Sequence, residues 1–328
     1  MTLADPIVAK LETRPMRAWT YRKFGPPEVL SLGEAPEPVA PEKGVVVALK
    51  ASALNVLDVR VRKGLMFPFA DRKFPKIPGV DVAGVVTAVG PGVRRLKVGD
   101  AVFGAGSAFK GGALAERVAV PEDGLAILPP GLDFETAATL PTTGLAALQA
   151  VRDLGRVLSG QRLLAHGGSG AAGLVAIQLA KLRGAHVTSV SGASGLEAVR
   201  AAGADVALDY RRKPFELGAP YDVIVNFSSA FPYERARRHL TPAGRFIEAS
   251  PTIPKFLGSM IANNFRARKH LMLQTTARTA ALQDLAALVV QGKVRVEVAR
   301  VYAFEEVAAA YAEFEKGGTV GKIVARGP

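Results

Sequence analysis

The sequence predicts an α/β protein in which a β-rich N-terminal unit is followed by a doubly wound parallel sheet. Short β-branched runs cut by Pro and Gly fill residues 17–125, strand and helix patterns alternate from about residue 135, and a glycine cluster joins an early strand of that second part to a helix. With 328 residues, 49% of them apolar, the chain is long enough for two domains.

In the N-terminal unit "RAWTY", "GVVVALKASAL", "DVAGVVTAVG" and "AERVAV" read as strands, and "FGPPE", "VGPGV" and "VGD" set turns between them. Residues 1–15 read as a loose extension before the first strand. The period changes in "DFETAATLPTTGLAALQAVRDL", which is helical in composition and broken at Pro141. "RLLAH" (162–166) is then a strand, "AAGLVAIQLAKLRG" a helix, "HVTSVS" a strand, "SGLEAVRAAGA" a helix, and "VALDY" and "YDVIVNF" further strands. "GRFIEAS" and "HLMLQTT" continue the same sheet. The terminal segment runs helix, strand, helix, strand, and its periodicity leaves open which domain it completes.

Gly168-Ser169-Gly170-Ala171-Ala172-Gly173 has the spacing G-x-G-x-x-G in the context a dinucleotide site requires, after a strand and before a helix. Gly168 is read as the tight-turn residue, Gly170 as the point where backbone approaches a pyrophosphate, and Gly173 as the close helix–sheet contact. The second strand ends in Val190-Ser191-Gly192-Ala193-Ser194-Gly195, with no acid before Glu197. An acid there would accept from the ribose 2′-hydroxyl of NAD and repel a 2′-phosphate. Ser191 and Ser194 can instead donate to a phosphate, so NADPH is the expected cofactor. The run Arg211-Arg212-Lys213 after the next strand either assists this or is an ordinary solvated edge.

Other chemistries are excluded or disfavoured. The formal charge of +13 is scattered and dense only in "YRRK" (210–213), "ERARRH" (234–239) and "RARKH" (266–270), which suits phosphate steering better than a nucleic-acid groove. There is no cysteine, so disulfides, thiol nucleophiles and cysteine-based metal sites are absent. His166 and His186 are read as structural and His239 and His270 as surface groups, since no pair has metal-ligand spacing. Ser169 does not complete a G-x-S-x-G elbow, which argues against a hydrolase. No segment reads as a signal peptide or membrane span, so a cytoplasmic protein is expected.

Ten stretches resemble, in order, the zinc-less quinone oxidoreductase branch of the medium-chain dehydrogenase/reductase superfamily. They are "FGPPEVL" (24–30), "KASALNVLDVRVRKG" (50–64), "PKIPGVDVAGVVTAVGPGV" (75–93), "VGDAVFG" (98–104), "GGALAERVAVP" (111–121), "LPTTGLAALQAV" (140–151), the glycine turn, "VRAAGADVALDY" (199–210), "TPAGRF" (241–246) and "VGKIV" (320–324). The resemblance implies a GroES-like β domain over 16–136 completed by 285–328, and a Rossmann domain over 137–284 with the active site between them. It further implies a homodimer and hydride transfer to a quinone or α,β-unsaturated carbonyl. Zinc-dependent relatives carry Gly-His-Glu where this chain has Gly79-Val80-Asp81, and Val80 cannot ligate a metal.

From the same resemblance, Asn55 is the expected oxyanion donor or nicotinamide contact, with Asp58 ordering its loop and Thr142 and Thr143 near the nicotinamide. Tyr210 is expected near the adenosine phosphate, and Ser228 and Ser229 along the nicotinamide ribose. NADPH-using relatives often carry lysine where this chain has Gly195, which leaves Ser191, Ser194 and Tyr210 to meet the 2′-phosphate. The aromatic loop "GLMFPFADRKFP" (64–75) could cap the cleft over a flat acceptor or serve as packing. Two other readings stay open: an enoyl-thioester reductase on the same fold, and a non-catalytic nucleotide- or RNA-binding protein.

Overall fold

The computed structural model describes residues 15–66, 69–70, 72–212, 216–218, 220–228, 230–249, 259, 263 and 266–328. Residues 1–14 of the expected extension, Lys213 and Ser229 lie outside the described residues, and Pro15 already belongs to the first strand.

β1 (Pro15–Thr20) and β2 (Ser31–Pro36) form an antiparallel pair. β3 (Gly44–Ala53), β4 (Asp81–Val89), β5 (Ala101–Ala105) and β7 (Leu125–Ile127) are antiparallel neighbours in that order, and β6 (Arg117–Pro121) pairs with the first half of β3. β3 is "GVVVALKASA", buried except at Ala48 and Lys50. Its β-branched residues suit a strand packed on both faces.

The second sheet contains β8 (Arg162–His166), β9 (His186–Ser191), β10 (Val206–Asp209), β11 (Tyr221–Asn226), β12 (Leu240–Glu248) and β13 (Lys269–Met272). All pairings are parallel, in the order β10-β9-β8-β11-β12-β13. Alternate residues feed two cores: Leu163, Val223 and Val225 pack on one face, and Leu164, Ile224 and Phe246 on the other. Strand order reverses between β8 and β11, and a doubly wound sheet opens a crevice at the carboxyl ends of the strands there.

The terminal segment returns to the first sheet. After the helix Thr279–Val290, β14 (Val298–Tyr302) runs parallel to β15 (Lys322–Arg326), and β15 takes the second half of β3, Val324 opposite Ala53. Ala51, Ala53 and Ala83 of the first sheet share a single apolar cluster with Leu163 and Val225 of the second and with Ile177 of the Ala171–Leu182 helix, so one core runs through both domains.

The expected helix around Pro141 is instead segmented. Asp133 caps Phe134–Ala138, its Oδ1 accepting from Thr136 N at 2.8 Å. Pro141 then lies in a widened turn, Leu140–Gly144, in which Leu145 N reaches back to Leu140 O. The widened turn presents Thr142 to the first sheet. His270, expected at the surface, is buried, because β13 turns it inward to stack on Tyr233 with centroids 4.5 Å apart.

The returning strand is part of the N-terminal core, since fully buried Ile323 packs with Trp19, Phe304 and Tyr311. Truncation of Ile323 to alanine is expected to destabilise the fold by about 2–5 kcal/mol. The single tryptophan, Trp19, reports this through its fluorescence in denaturant unfolding, because its Nε1 donates to Phe304 O at 2.6 Å inside that cluster.

Candidate active site and cofactor crevice

β8 delivers the chain to the glycine turn at the crevice. The left-handed residue of the turn is Gly167, with φ +81°, while Gly168, read as the tight-turn residue, has no positive φ. Gly168 is required for another reason: a Cβ there would lie 2.1 Å from Ser189 Oγ on the neighbouring strand. A Cβ on Gly173 would lie 2.6 Å from Gly168 Cα and O, which brings the Ala171–Leu182 helix hard against the turn. At Gly170 a Cβ would meet only Gly167 O, at 3.6 Å, so the backbone is open to an approaching group. The helix has no side-chain cap, which leaves its first amides, Ala171 and Ala172 among them, available to an anion.

β9 and β10 end side by side, with Asp209 opposite Ser191 and Tyr210 N donating to Ser191 O at 3.1 Å. Ser191 is buried and Ser194 exposed. Tyr210 is half exposed and lies over Gly192, and the Arg211 guanidinium sits 5.4 Å from its ring centroid. A Cβ on Gly195 would meet Ser169 Cβ at 2.2 Å. Ser169 of the turn therefore fills the space into which a larger residue at 195 would rise, a coupling invisible when each position is read alone.

On the other side of the switch point, His166 Nδ1 and Ser228 Oγ are 2.6 Å apart, and the imidazole stacks on Phe231 with centroids 4.9 Å apart. Burial, reinforced by Arg235, lowers the His166 pKa to about 4, so the ring is neutral at physiological pH. Asn226 Nδ2 donates to Phe231 O at 3.0 Å and to buried Glu248 at 3.1 Å, which holds the end of β11. Phe227 is partly buried and packs against the main core.

Across the crevice the returning segment touches the turn, since Gly321 and Gly170 form a parallel β-bridge. Gly321 has φ +95°, and a Cβ there would lie 2.5 Å from Glu297 O. The next residue, Lys322, enters a buried polar cluster. Its Nζ donates to Leu54 O at 2.5 Å and to Asn55 Oδ1 at 2.6 Å. Asn55 Nδ2 donates to Ala53 O at 3.0 Å and to Asp81 Oδ2 at 2.9 Å. Asp81 Oδ1 accepts from Thr142 N at 3.0 Å and from Thr142 Oγ1 at 2.5 Å. Asp58 Oδ2 accepts from Asn55 N at 2.9 Å and so caps the Val56–Arg62 helix.

This arrangement changes the role of Asn55. The acceptors Asp81 and Ala53 and the donor Lys322 fix which way the amide faces. Both amide protons are engaged inside the protein, and the side chain presents none to a substrate oxygen. Asn55 is a positioning residue here, not the expected oxyanion donor. Thr142 is half-buried at the edge of the cluster, and Thr143 is buried beside it. The sequence had not singled out Asp81 or Lys322 as site residues. The one local signal for Lys322 was a lysine inside the apolar run "KIVA".

Burial first, then the neighbouring Asp81 charge, pushes the Asp58 carboxyl from its ordinary 3.8 to about 7. Burial also raises Asp81, opposed by Lys322 and by the hydrogen bonds from Thr142 and Asn55. Burial lowers Lys322, opposed by the two carboxylates. Phe69 and Phe109, on loops that leave the Val56–Arg62 helix and β5, stack with centroids 5.7 Å apart, and Phe69 is exposed. Residues 67, 68 and 71 of the aromatic loop lie outside the described residues.

Known proteins agree with this architecture. Residues 41–130 match the alcohol dehydrogenase GroES-like domain family and 202–324 the zinc-binding dehydrogenase family. The chain is 33% identical over 323 residues to a chloroplast envelope quinone oxidoreductase homolog of Arabidopsis thaliana, covering 94% of this chain and 98% of that one. It is 34% identical to an NADPH-dependent alkenal/one oxidoreductase of the same plant, over 94% of this chain and 79% of the relative. The solved quinone oxidoreductase of Coxiella burnetii superposes with a TM-score of 0.88 at 28% identity, over 95% of this chain and 99% of that one. The chain belongs to the quinone oxidoreductases of the medium-chain dehydrogenase/reductase superfamily.

The Asp58 shift has a pH consequence. A carboxyl whose folded pKa lies above its unfolded value contributes stability below the unfolded pKa and loses it as pH rises through the folded one. Stability associated with Asp58 is therefore expected to decline between pH 3.8 and about 7. Thermal melts across that interval check this, with Asp58→Asn expected to flatten the decline.

Proposed function

We propose that the protein is an NADPH-dependent, zinc-independent oxidoreductase that reduces a quinone or an α,β-unsaturated carbonyl. The observation that carries this reading is the Gly170–Gly321 bridge, which brings a phosphate-binding turn and a buried polar floor into one crevice. The names of the relatives, quinone oxidoreductase and NADPH-dependent alkenal/one oxidoreductase, support the same chemistry.

The residues present fit a dinucleotide. The open backbone at Gly170 and the uncapped helix start suit a pyrophosphate. The acid-free end of β9, with Ser194, Tyr210 and Arg211 exposed around it, suits a 2′-phosphate. When bound, NADPH supplies the hydride, and the reaction NADPH + H⁺ + quinone → NADP⁺ + hydroquinone balances with one proton from solvent. The chain's own residues bind and orient: the turn holds the phosphates, and Thr142 stands at the polar floor as a nicotinamide contact. Phe69 and Phe109 offer an aromatic face to a flat acceptor.

The donor set does not fit zinc. Val80 has no ligating atom, both Asp81 oxygens are held by Asn55 and Thr142, and the Lys322 ammonium lies in the same cluster. No step is assigned to a metal, and elemental analysis of the purified protein is expected to find less than stoichiometric zinc. We also read the protein as a homodimer, in line with its resemblance, and sedimentation at twice 34.4 kDa checks that.

The cofactor assignment is tested by titrating NADPH and NADH at matched ionic strength and following nicotinamide fluorescence. NADPH is expected to bind at least about tenfold more tightly, the order of one charge-assisted hydrogen bond to the 2′-phosphate. Equal or tighter NADH binding would sink the assignment. Turnover of a simple quinone and an enone, but not of an enoyl thioester, is the matching substrate result.

A further inference from the structure

Lys322 is a buried cation whose purpose the fold alone does not explain. Its ammonium donates to two oxygens that can only accept, Leu54 O and Asn55 Oδ1. The charged groups facing this cluster are Asp81 on β4, Asp58 on the Val56–Arg62 helix and Lys322 itself. Tyr311 on the Val307–Lys316 helix lies against Asp58, with Arg62 beyond it. The hydrogen bonds decide which carboxyl is ionised. Asp81 receives three donors, Thr142 N, Thr142 Oγ1 and Asn55 Nδ2, while Asp58 receives Asn55 N, and its Oδ1 has no partner in hydrogen-bond geometry. The arrangement therefore sets one ammonium, Lys322, against one carboxylate, Asp81, across the Asn55 amide, and leaves Asp58 as the group that carries a proton near neutrality.

The charge on Asp81 has a consequence for Thr142. A carboxylate can only accept, so the Thr142 hydroxyl must point its one proton inward to Asp81 Oδ1. What the hydroxyl offers outward is a lone pair. If Asp81 were neutral, its own proton could be donated to Thr142, and the threonine proton would turn outward.

We propose that Lys322 is a positioning residue that holds Asp81 as a carboxylate and thereby fixes the Thr142 hydroxyl as an acceptor toward the crevice, where it selects the carboxamide NH₂ of a nicotinamide. The proposal rests on the cofactor reading above. It makes the C-terminal strand part of the machinery that recognises the nicotinamide ring, although Lys322 itself never touches the cofactor. The adjoining Gly321–Gly170 bridge keeps that strand in register with the turn that holds the phosphates.

The test compares binding of NADP⁺ with binding of its acetylpyridine analogue, in which a methyl ketone replaces the carboxamide and the NH₂ donor is gone. Calorimetry gives the ratio of the two affinities at a series of pH values, and the ratio cancels the titration of the 2′-phosphate common to both. In the unmodified protein NADP⁺ is expected to bind about threefold to tenfold more tightly, the effect of one hydrogen bond. That preference should fade on acidification, as Asp81 takes up its proton. Thr142→Val should lose the preference at every pH, and Thr142→Ser should keep it. In Lys322→Met the fading should begin at higher pH, and Lys322→Arg should restore the original profile. A preference that persists in Thr142→Val overturns the inference. So does a Lys322→Met profile that matches the unmodified protein. If Lys322→Met does not fold, the unmodified protein still decides: a ratio that stays constant down to the pH of unfolding overturns the inference. Binding of neither nucleotide by the unmodified protein overturns the cofactor reading and this inference with it.

Discussion

Burying the ammonium of Lys322 is the constraint on which much of this structure depends. A charge removed from water costs several kcal/mol unless partners replace the solvent. Here the direct partners are Leu54 O and Asn55 Oδ1, just past the end of β3; Asn55 in turn binds Asp81 at the start of β4, and Asp81 binds Thr142. Satisfying one lysine therefore pins segments that are far apart in sequence, and the same contacts put the polar groups of the site in register. Removing one member of such a cluster leaves the others unpaired in a dry interior, which is costlier than the net worth of any single bond.

The cluster also joins the two halves of the molecule. β15 completes the first sheet, yet Gly321, one residue before Lys322, bridges to Gly170 of the second domain's phosphate turn. The apolar core is continuous across the same junction, with alanines of β3 and β4 in one cluster with valines and leucines of the second domain. Small residues on the first sheet let the Phe134–Ala138 helix pack closely against β3 and β4.

The strands, the glycine turn and the acid-free end of β9 were legible in the sequence because each depends on local chemistry: β-branched alternation, glycine spacing, a missing carboxylate. The details of the turn were less legible. Spacing assigned the tight turn to Gly168; in the fold the left-handed conformation belongs to its neighbour Gly167, while Gly168 yields to Ser189 of another strand. The exchange between Ser169 and Gly195 has the same origin, since two side-chain volumes share one space only after β8 and β9 are paired. His270 was misplaced at the surface because its basic neighbours outweighed the inward face of a short strand.

By itself the sequence determined the kind of protein: its two sheets, the order of its second-domain elements and the place where a dinucleotide would lie. Those follow from periodicity and from residues whose conformational limits are intrinsic. Only the tertiary structure decided what the site residues do. Asn55 looked like a free donor until Ala53, Asp81 and Lys322 were seen to engage every polar atom of its amide. Asp81 and Lys322, 241 positions apart, had no reason to be read together. Ionisation, hydrogen-bond direction and burial are properties of an assembled environment, and a linear sequence supplies the groups without saying which of them share a dielectric.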